Sequence, residues 1–291
     1  MTKTNSIITA SYAPDFARCK ILCESIDKYA SGYECHYLLV AEPDLKLFSQ
    51  LEGPNRKILT DRQLLPWWLY RPPKLLSPKG RRIWLSPLTV PLHGWHTQQI
   101  MRIAVAMHLK TDGLLYCDSD TALTKPFDVG SIWDGQIMRL WREDDGALGA
   151  EDDHLIWKAQ AGRALGVAPA DQLDHNYVCG FVTWKRQTVV DMCTHIEKLH
   201  GRPWISVIGS SRKFSECMLY GAYVDAVLAG KGHEINPVSL CKMLWFDPPP
   251  TPQELREIVG ELTAEEFAIG VQSFMDFDPA IFSDVVMPHK R

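Results

Sequence analysis

Apolar positions along the chain fall into two rhythms. Short unbroken runs, Ser6 to Ala10 (SIITA) and Tyr37 to Ala41 (YLLVA), read as buried strands. Between them Asp15 to Tyr29 carries apolar residues at helical spacing behind a Pro14 start signal, giving a β-α-β opening. Arg56 to Thr60 (RKILT) and Gly113 to Cys117 (GLLYC) continue the series of strands, and their alternation with helices predicts a largely parallel sheet.

A helix is predicted from Trp95 to Lys110, where Ile100, Ile103, Ala104 and Met107 form one apolar stripe. Trp95, Gln98 and Arg102 lie opposite that stripe, as an exposed face or as the wall of a polar site. The preceding stretch, Leu64 to Trp95, is rich in Trp and Pro and reads as a long ordered loop. Within it Arg71, Lys74, Lys79, Arg81 and Arg82 form a basic cluster with no acidic residue, which suits a phosphate-bearing ligand or a solvated surface equally.

Further on, Val178 to Trp184 reads as a strand containing Gly180, and Gln187 to Leu199 and Ser211 to Leu228 read as helices. A glycine inside a strand marks a bulge, a close ligand or tight packing. Cys241 to Phe246 and Ala268 to Phe274 are apolar runs separated by the Pro-rich turn Pro248 to Pro252.

Composition narrows the class. With 291 residues, 46% hydrophobic and 23% charged, the chain has material for a sizeable core and is an α/β globular protein. We expect one domain over 1–291, with halves of about 1–125 and 126–291 and an ordered insertion at about 64–95. Thirty-one basic against 35 acidic side chains leave a net charge of −4, so no global field attracts nucleic acid or anionic lipid. No stretch of about 18 apolar residues or secretion signal is seen, so a cytoplasmic location is expected. Eight cysteines without a Cys-x-x-Cys pair read as reduced, buried residues, and Cys19 and Cys23 as core rather than metal ligands.

The sharpest chemical signal is Leu114-Leu115-Tyr116-Cys117-Asp118-Ser119-Asp120, an apolar strand that runs straight into two carboxylates. In an open α/β sheet the carboxyl ends of strands form the ligand crevice. Alternate carboxylates there suit one divalent cation bridging to a diphosphate. A polar turn after a buried strand accounts for the same letters, and the short pattern does not choose between the two.

The surrounding sequence resembles glycosyltransferases of the GT-A fold. The likeness rests on the β-α-β opening, on a helix with Gln98, Gln99 and Arg102, and on LLYCDSDTAL (Leu114 to Leu123), in which Asp118-Ser119-Asp120 matches the Asp-x-Asp motif of that family. It is nearest to bacterial glycosyltransferase-like proteins with Gly-Trp-x-x-Gln-Gln ahead of that motif, as in Gly94 to Gln99 here. The likeness runs from about Ser6 to Ser273 and is specific over about Gly94 to Pro126.

The resemblance implies a GT-A (Rossmann-like) mixed, mostly parallel sheet flanked by helices. It also implies a nucleotide-diphospho-sugar donor held through Mn²⁺ or Mg²⁺ on Asp118 and Asp120. Thr9, Ala10 and Tyr12 would then meet the nucleoside, Ser119 the ribose or sugar, and Gln98 and Arg102 the phosphate or sugar oxygens. Glu216, ahead of Tyr220, Tyr223 and Val227 on one predicted helix face, is the candidate base for the acceptor, although an acidic first turn behind Ser215 or Ser211 explains it equally. Asp174, His175 and Asn176 are candidates for the sugar pocket, or turn formers. The late histidine that often completes the metal site is missing from Ala268 to Phe274, so the third ligand stays open among Gln272, Ser273, His233 and His289. The acceptor, a glycan, lipid, peptide or small molecule, is open as well.

Two competing readings remain. Asp118-Ser119-Asp120-Thr121 also resembles the Asp-x-Asp of haloacid-dehalogenase-type phosphatases, but that motif normally opens its domain, whereas about 110 residues precede it here. A GT-A-like scaffold that binds a sugar nucleotide without turnover is the other alternative.

Overall fold

The computed structural model describes residues 3–73, 82–144, 152–171, 174–245 and 248–287. Its first half comprises β1 (Asn5–Ala10), α1 (Phe16–Tyr29), β2 (Cys35–Val40), β3 (Arg56–Thr60), α2 (Gly94–His108), β4 (Gly113–Cys117) and β5 (Thr121–Leu123). The second half adds β6 (Ile137–Trp141), α3 (Asp152–Leu165), β7 (Phe181–Lys185), α4 (Arg186–His200), α5 (Glu216–Ala222), β8 (His233–Asn236), β9 (Cys241–Leu244) and β10 (Ala268–Val271).

Five strands form the central sheet in the order β7-β4-β1-β2-β3. β1 to β4 run parallel, and β7 pairs antiparallel with β4 through Phe181↔Cys117. The result is a mixed α/β fold with a mostly parallel sheet. Alternation of side chains across the pleat explains why β1 reads as a continuous apolar run. Ile7 joins Leu115 and the Leu22 and Ile26 face of α1, whereas Ile8 joins Leu114, Tyr116 and the Ile100, Ile103 and Ala104 stripe of α2. Helices therefore cover both faces, and full burial of a side chain such as Ile100 or Ile103 stabilises by about 1.5–3 kcal/mol each.

Two smaller sheets extend this frame. β9 and β10 are parallel, and β10 pairs antiparallel with β5 through Gly270↔Thr121, which brings the late chain back to the strand that follows the two acids. β6 pairs in parallel with β8. Gly180 lies just before β7 rather than inside the predicted strand. A Cβ there would overlap Met243 Sδ, and so would one at Gly270, so the thioether fills a notch between the two glycines beside Thr121. Tight packing is the reason for this glycine.

Other boundaries moved. The helix predicted over Ser211 to Leu228 starts only at Glu216 and loosens into a π turn at Tyr223–Val227. The insertion predicted as a loop contains a small hairpin of Ile83–Trp84 with Leu92–His93. Lys74, Lys79 and Arg81 of the basic cluster lie outside the described residues. All eight cysteines are buried and unbridged. Among the described residues no helix is long and apolar enough to cross a membrane.

Candidate functional site

β1, β2 and β3 succeed one another on one side of β1, and the chain then returns to pair β4 on its other side. This reversal opens a crevice at the carboxyl ends of β1 and β4. A cleft of about 440 Å³ occupies the region, floored by Ser11, Tyr12 and Ala41 after β1 and β2. Its walls come from the hairpin (Arg82, Trp84, His93) and the first turns of α2 (Trp95, Gln98, Met101), and Ser273 closes one side.

The acid pair stands beside that cleft. β4 is buried throughout and ends at Cys117, where Asp118 N donates to Gly180 O (3.0 Å) and the chain turns sharply, Thr121 N donating to Asp118 O (3.2 Å). The two carboxylates take different partners. Asp118 Oδ1 accepts from Arg102 Nη1 at 2.9 Å. Asp120 Oδ2 accepts from the backbone N–H of Ser273 at 2.9 Å, and Val271 N donates to Asp120 O at 3.2 Å.

Arg102 sits between two acids, with Nη1 on Asp118 and Nε 3.1 Å from Glu216 Oε1, too far out of line for a hydrogen bond. Its Nη2 has no hydrogen-bond partner among the described residues. Burial opposes its charge, but Glu216 and Asp118 outweigh that and raise its pKa. Tyr116 lies beneath, its ring centre 5.1 Å from the guanidinium and its hydroxyl donating to Arg102 O at 2.7 Å.

Electrostatically the pocket is short of positive charge. Burial raises the Asp118 carboxyl above its ordinary value in spite of Arg102. Asp120 is pushed further, to about 7, by burial first and then by the charge of Asp118, with Asp15 adding to it and the Ser273 N–H working the other way. Asp15 is itself raised by burial, against the pull of Arg18. Carboxylates so placed gain most from a hard cation. Two carboxylates also match how Mg²⁺ or Mn²⁺ is commonly held, with water and substrate phosphate completing the shell. Among the described residues no three His, Cys, Asp or Glu side chains converge on a point that could hold a metal ion.

The remaining expected site residues divide clearly. Tyr12 and Gln98 line the cleft, and the Arg82 guanidinium lies 5.5 Å from the Tyr12 ring centre while pairing with Asp44. Ala10 packs partly buried against the α2 side of the core. Thr9 is fully buried, and its hydroxyl meets His36 Nε2 at 3.0 Å. Ser119 occupies the turn and is 8% exposed. Glu216 is buried in the first turn of α5, which Ser215 caps by accepting from Met218 N, and its own backbone N–H donates to Gln99 Oε1. The N-cap reading and the link to the acid pair therefore hold together.

Of the open metal-ligand candidates, Ser273 lies against Asp120 and Gln272, next to it in the chain, donates its backbone N–H to Leu244 O, whereas His233 bonds the Tyr220 hydroxyl at 2.8 Å. Tyr220 in turn accepts from Lys185 N, opposite Gly113 at the far end of β4, so His233 is remote from the acids. Its pKa is lowered to about 4 by burial. His289 lies outside the described residues. Asp174 pairs with Lys158, His175 sits 3.4 Å from Asp144, and Asn176 Nδ2 donates to Glu143 (3.2 Å), a group that does not line the cleft. Sequence reading missed Asp15 and the Ser273 N–H, and took Gln99 only as part of the helix motif without a partner at Glu216. The only signal for Asp15 was its place in Tyr12-Ala13-Pro14-Asp15, directly after β1.

No curated protein matches the chain. A family model described as a family of unknown function (DUF6492) matches residues 4–237, which include the cleft floor, α2, the acid pair and Glu216. The chain therefore belongs to the DUF6492 family.

Proposed function

We infer that the protein is a metal-dependent glycosyltransferase of the GT-A type, taking a sugar from a nucleotide-diphospho-sugar to an acceptor hydroxyl. One observation carries this reading: two carboxylates one residue apart leave the carboxyl end of a central strand at a sheet reversal, beside a 440 Å³ cleft, the first of them paired with the Arg102 guanidinium. The antiparallel partner of β4 and the short sheet that returns Gly270 to Thr121 are in keeping with that fold.

Transfer forms a bond from the acceptor oxygen to the anomeric carbon and breaks the bond from that carbon to the diphosphate. A cation held by Asp118 and Asp120 would supply charge stabilisation for the departing diphosphate. The chain's own groups orient the reactants. Tyr12 and Ala41 floor the space for the nucleoside, Gln98 offers an amide from the wall, and Arg102 fixes Asp118. Glu216 reaches the reacting groups through Arg102, so we assign it a positioning role. The acceptor proton passes to solvent or to the diphosphate in this scheme.

Incubation with a panel of nucleotide-sugars and Mn²⁺ is expected to release nucleoside diphosphate. Asp118→Ala and Asp120→Ala should each lower that release by about 10² or more. Release that persists in both variants and in chelator would sink the reading. Donor binding without release in the unaltered protein would favour the non-catalytic scaffold.

A further inference from the structure

The two described members of the basic cluster that precedes α2 have different fates. Arg82 is spent on Asp44, its Nη1 and Nη2 lying 2.5 and 3.1 Å from the carboxylate oxygens. Arg71 has a buried Nη1 with no hydrogen-bond partner among the described residues. It lines a second cleft, of about 890 Å³, at the carboxyl ends of β2 and β3, where Glu42 and Asp61 follow the strands. The two clefts adjoin. Trp84 lines both, and the consecutive residues Ala41 and Glu42 line one each.

Arg71 is fixed in place before any ligand arrives. Its guanidinium lies 5.5 Å from the ring centre of Trp84, a buried residue whose indole N–H donates to Asp61 Oδ2 at 2.9 Å. The neighbouring Tyr70 exchanges two backbone hydrogen bonds with Leu85 (3.0 and 2.8 Å), which ties this segment to the hairpin. Asp61 is already engaged, since its Oδ1 accepts from the backbone N–H groups of Glu42 (2.8 Å) and Arg62 (3.0 Å). Among the described residues Arg71 Nη1 is therefore the one buried side-chain polar atom of this lining that lacks a partner. Buried donors are normally satisfied, so the missing group is an acceptor oxygen from outside the chain.

We propose that the second cleft binds a phosphate ester, with Arg71 on the phosphate, and that this ester is the acceptor. The acceptor role rests on the glycosyl-transfer reading, whereas the phosphate site does not. A guanidinium holds oxyanions by charge-assisted hydrogen bonds. Arg62, exposed on the same cleft, and Arg71 both lack an ion pair among the described residues. No Asp or Glu occurs in the chain from Arg62 to Thr111. A phosphate ester brings up to about two negative charges and three acceptor oxygens to two such cations, where a carboxylate brings one charge. Of the two lining carboxylates Asp61 is engaged and Glu42 is not, so removing the Glu42 charge should strengthen the site. Trp67 and Tyr70, 89% and 53% exposed on this cleft, offer ring faces to the body of the ligand. The shared Trp84 sets that ligand next to the donor cleft.

The test titrates phenyl phosphate, benzoate and benzyl alcohol into the full chain in the presence of chelator, read by calorimetry. In parallel, the chain is sedimented with phosphatidylcholine vesicles with and without phosphatidic acid. Phenyl phosphate should bind about tenfold tighter than benzoate or benzyl alcohol, which marks a soluble phosphate ester, or binding should need phosphatidic acid, which marks a lipid headgroup. Arg71→Ala should weaken that binding by about tenfold and Arg62→Ala by about threefold, the latter without moving the melting temperature, while Glu42→Gln should strengthen it. Should Arg71→Ala fail to fold, Arg71→Lys, which keeps the charge but loses the flat contact with Trp84, takes its place with the same direction of change. Absence of binding by both phosphate probes, benzoate binding as tightly as phenyl phosphate, or binding that the Arg71 variant leaves unchanged overturns the proposal. Arg71-dependent phosphate binding while no nucleotide-sugar is consumed upholds the phosphate site and removes only its acceptor role. Consumption of nucleotide-sugar with no such binding overturns this proposal and leaves the transfer reading standing.

Discussion

Two arginines, Arg56 buried and Arg102 nearly so, reach opposite ends of the same sheet, and their surroundings differ in kind. Arg56, at the amino end of β3, has every guanidinium nitrogen engaged: Nε donates to His36 Nδ1 (3.0 Å), Nη1 to Leu51 O (3.2 Å), and Nη2 to Cys23 O (2.9 Å) and Asp27 Oδ1 (2.6 Å). Arg102, at the carboxyl end, makes one side-chain hydrogen bond in line, to Asp118, and leaves Nη2 without a partner among the described residues. Buried donors are normally satisfied, so a guanidinium engaged at every nitrogen acts as a rivet and one with an idle nitrogen retains capacity for a ligand.

The same substitution at both positions separates these roles. Arg102→Lys keeps the charge but loses the fork, and transfer should fall by about 10² while the melting temperature moves by a few degrees. Arg56→Lys should do the reverse, costing about 3 kcal/mol in urea denaturation through stranded acceptors on His36, Leu51 and Cys23, with activity per folded molecule unchanged. Equal losses of stability at the two sites would erase the contrast.

A smaller change sharpens it. Glu216→Gln keeps the shape beside Arg102 and removes one charge, so kcat should drop by about tenfold with KM for the donor nearly constant. If Glu216 instead takes the acceptor proton, the loss would reach about 10².

The smallest effect is a pH dependence. The folded chain holds the Asp120 carboxyl at about 7 against an ordinary value of 3.8, so between these values the native state binds a proton that the unfolded chain has released. The contribution of this group to stability is full below about 4, falls as pH rises to about 7, and is level above. Because a cation displaces that proton, Mn²⁺ should raise the melting temperature more at pH 8 than at pH 5.5. Scanning fluorimetry at the two pH values decides it, and an equal rise at both would place the cation elsewhere.

Much of the frame was legible because its signals are local. β1, β2, β4 and the α2 stripe are runs or periods of apolar residues, and they became core except Met107, which the last turn of α2 leaves 41% exposed. α3 escaped notice because its apolar positions are interrupted and Leu155 ends half-exposed. At the site, Asp118 and Asp120 were readable as a strand end. Asp15 and the Ser273 N–H reach them from about 105 and 153 residues away in sequence, a closeness created only by packing. Thr9 was expected at the nucleoside, yet in β1 it shares the parity of Ile7, and its hydroxyl is taken by His36.

The Met243 thioether wedged between Gly180 and Gly270 carries an evolutionary corollary. The three positions form one steric unit under the turn that bears the acids, so a heavier residue at either glycine demands a shorter one at 243. Related chains should therefore change these sites in concert or retain all three.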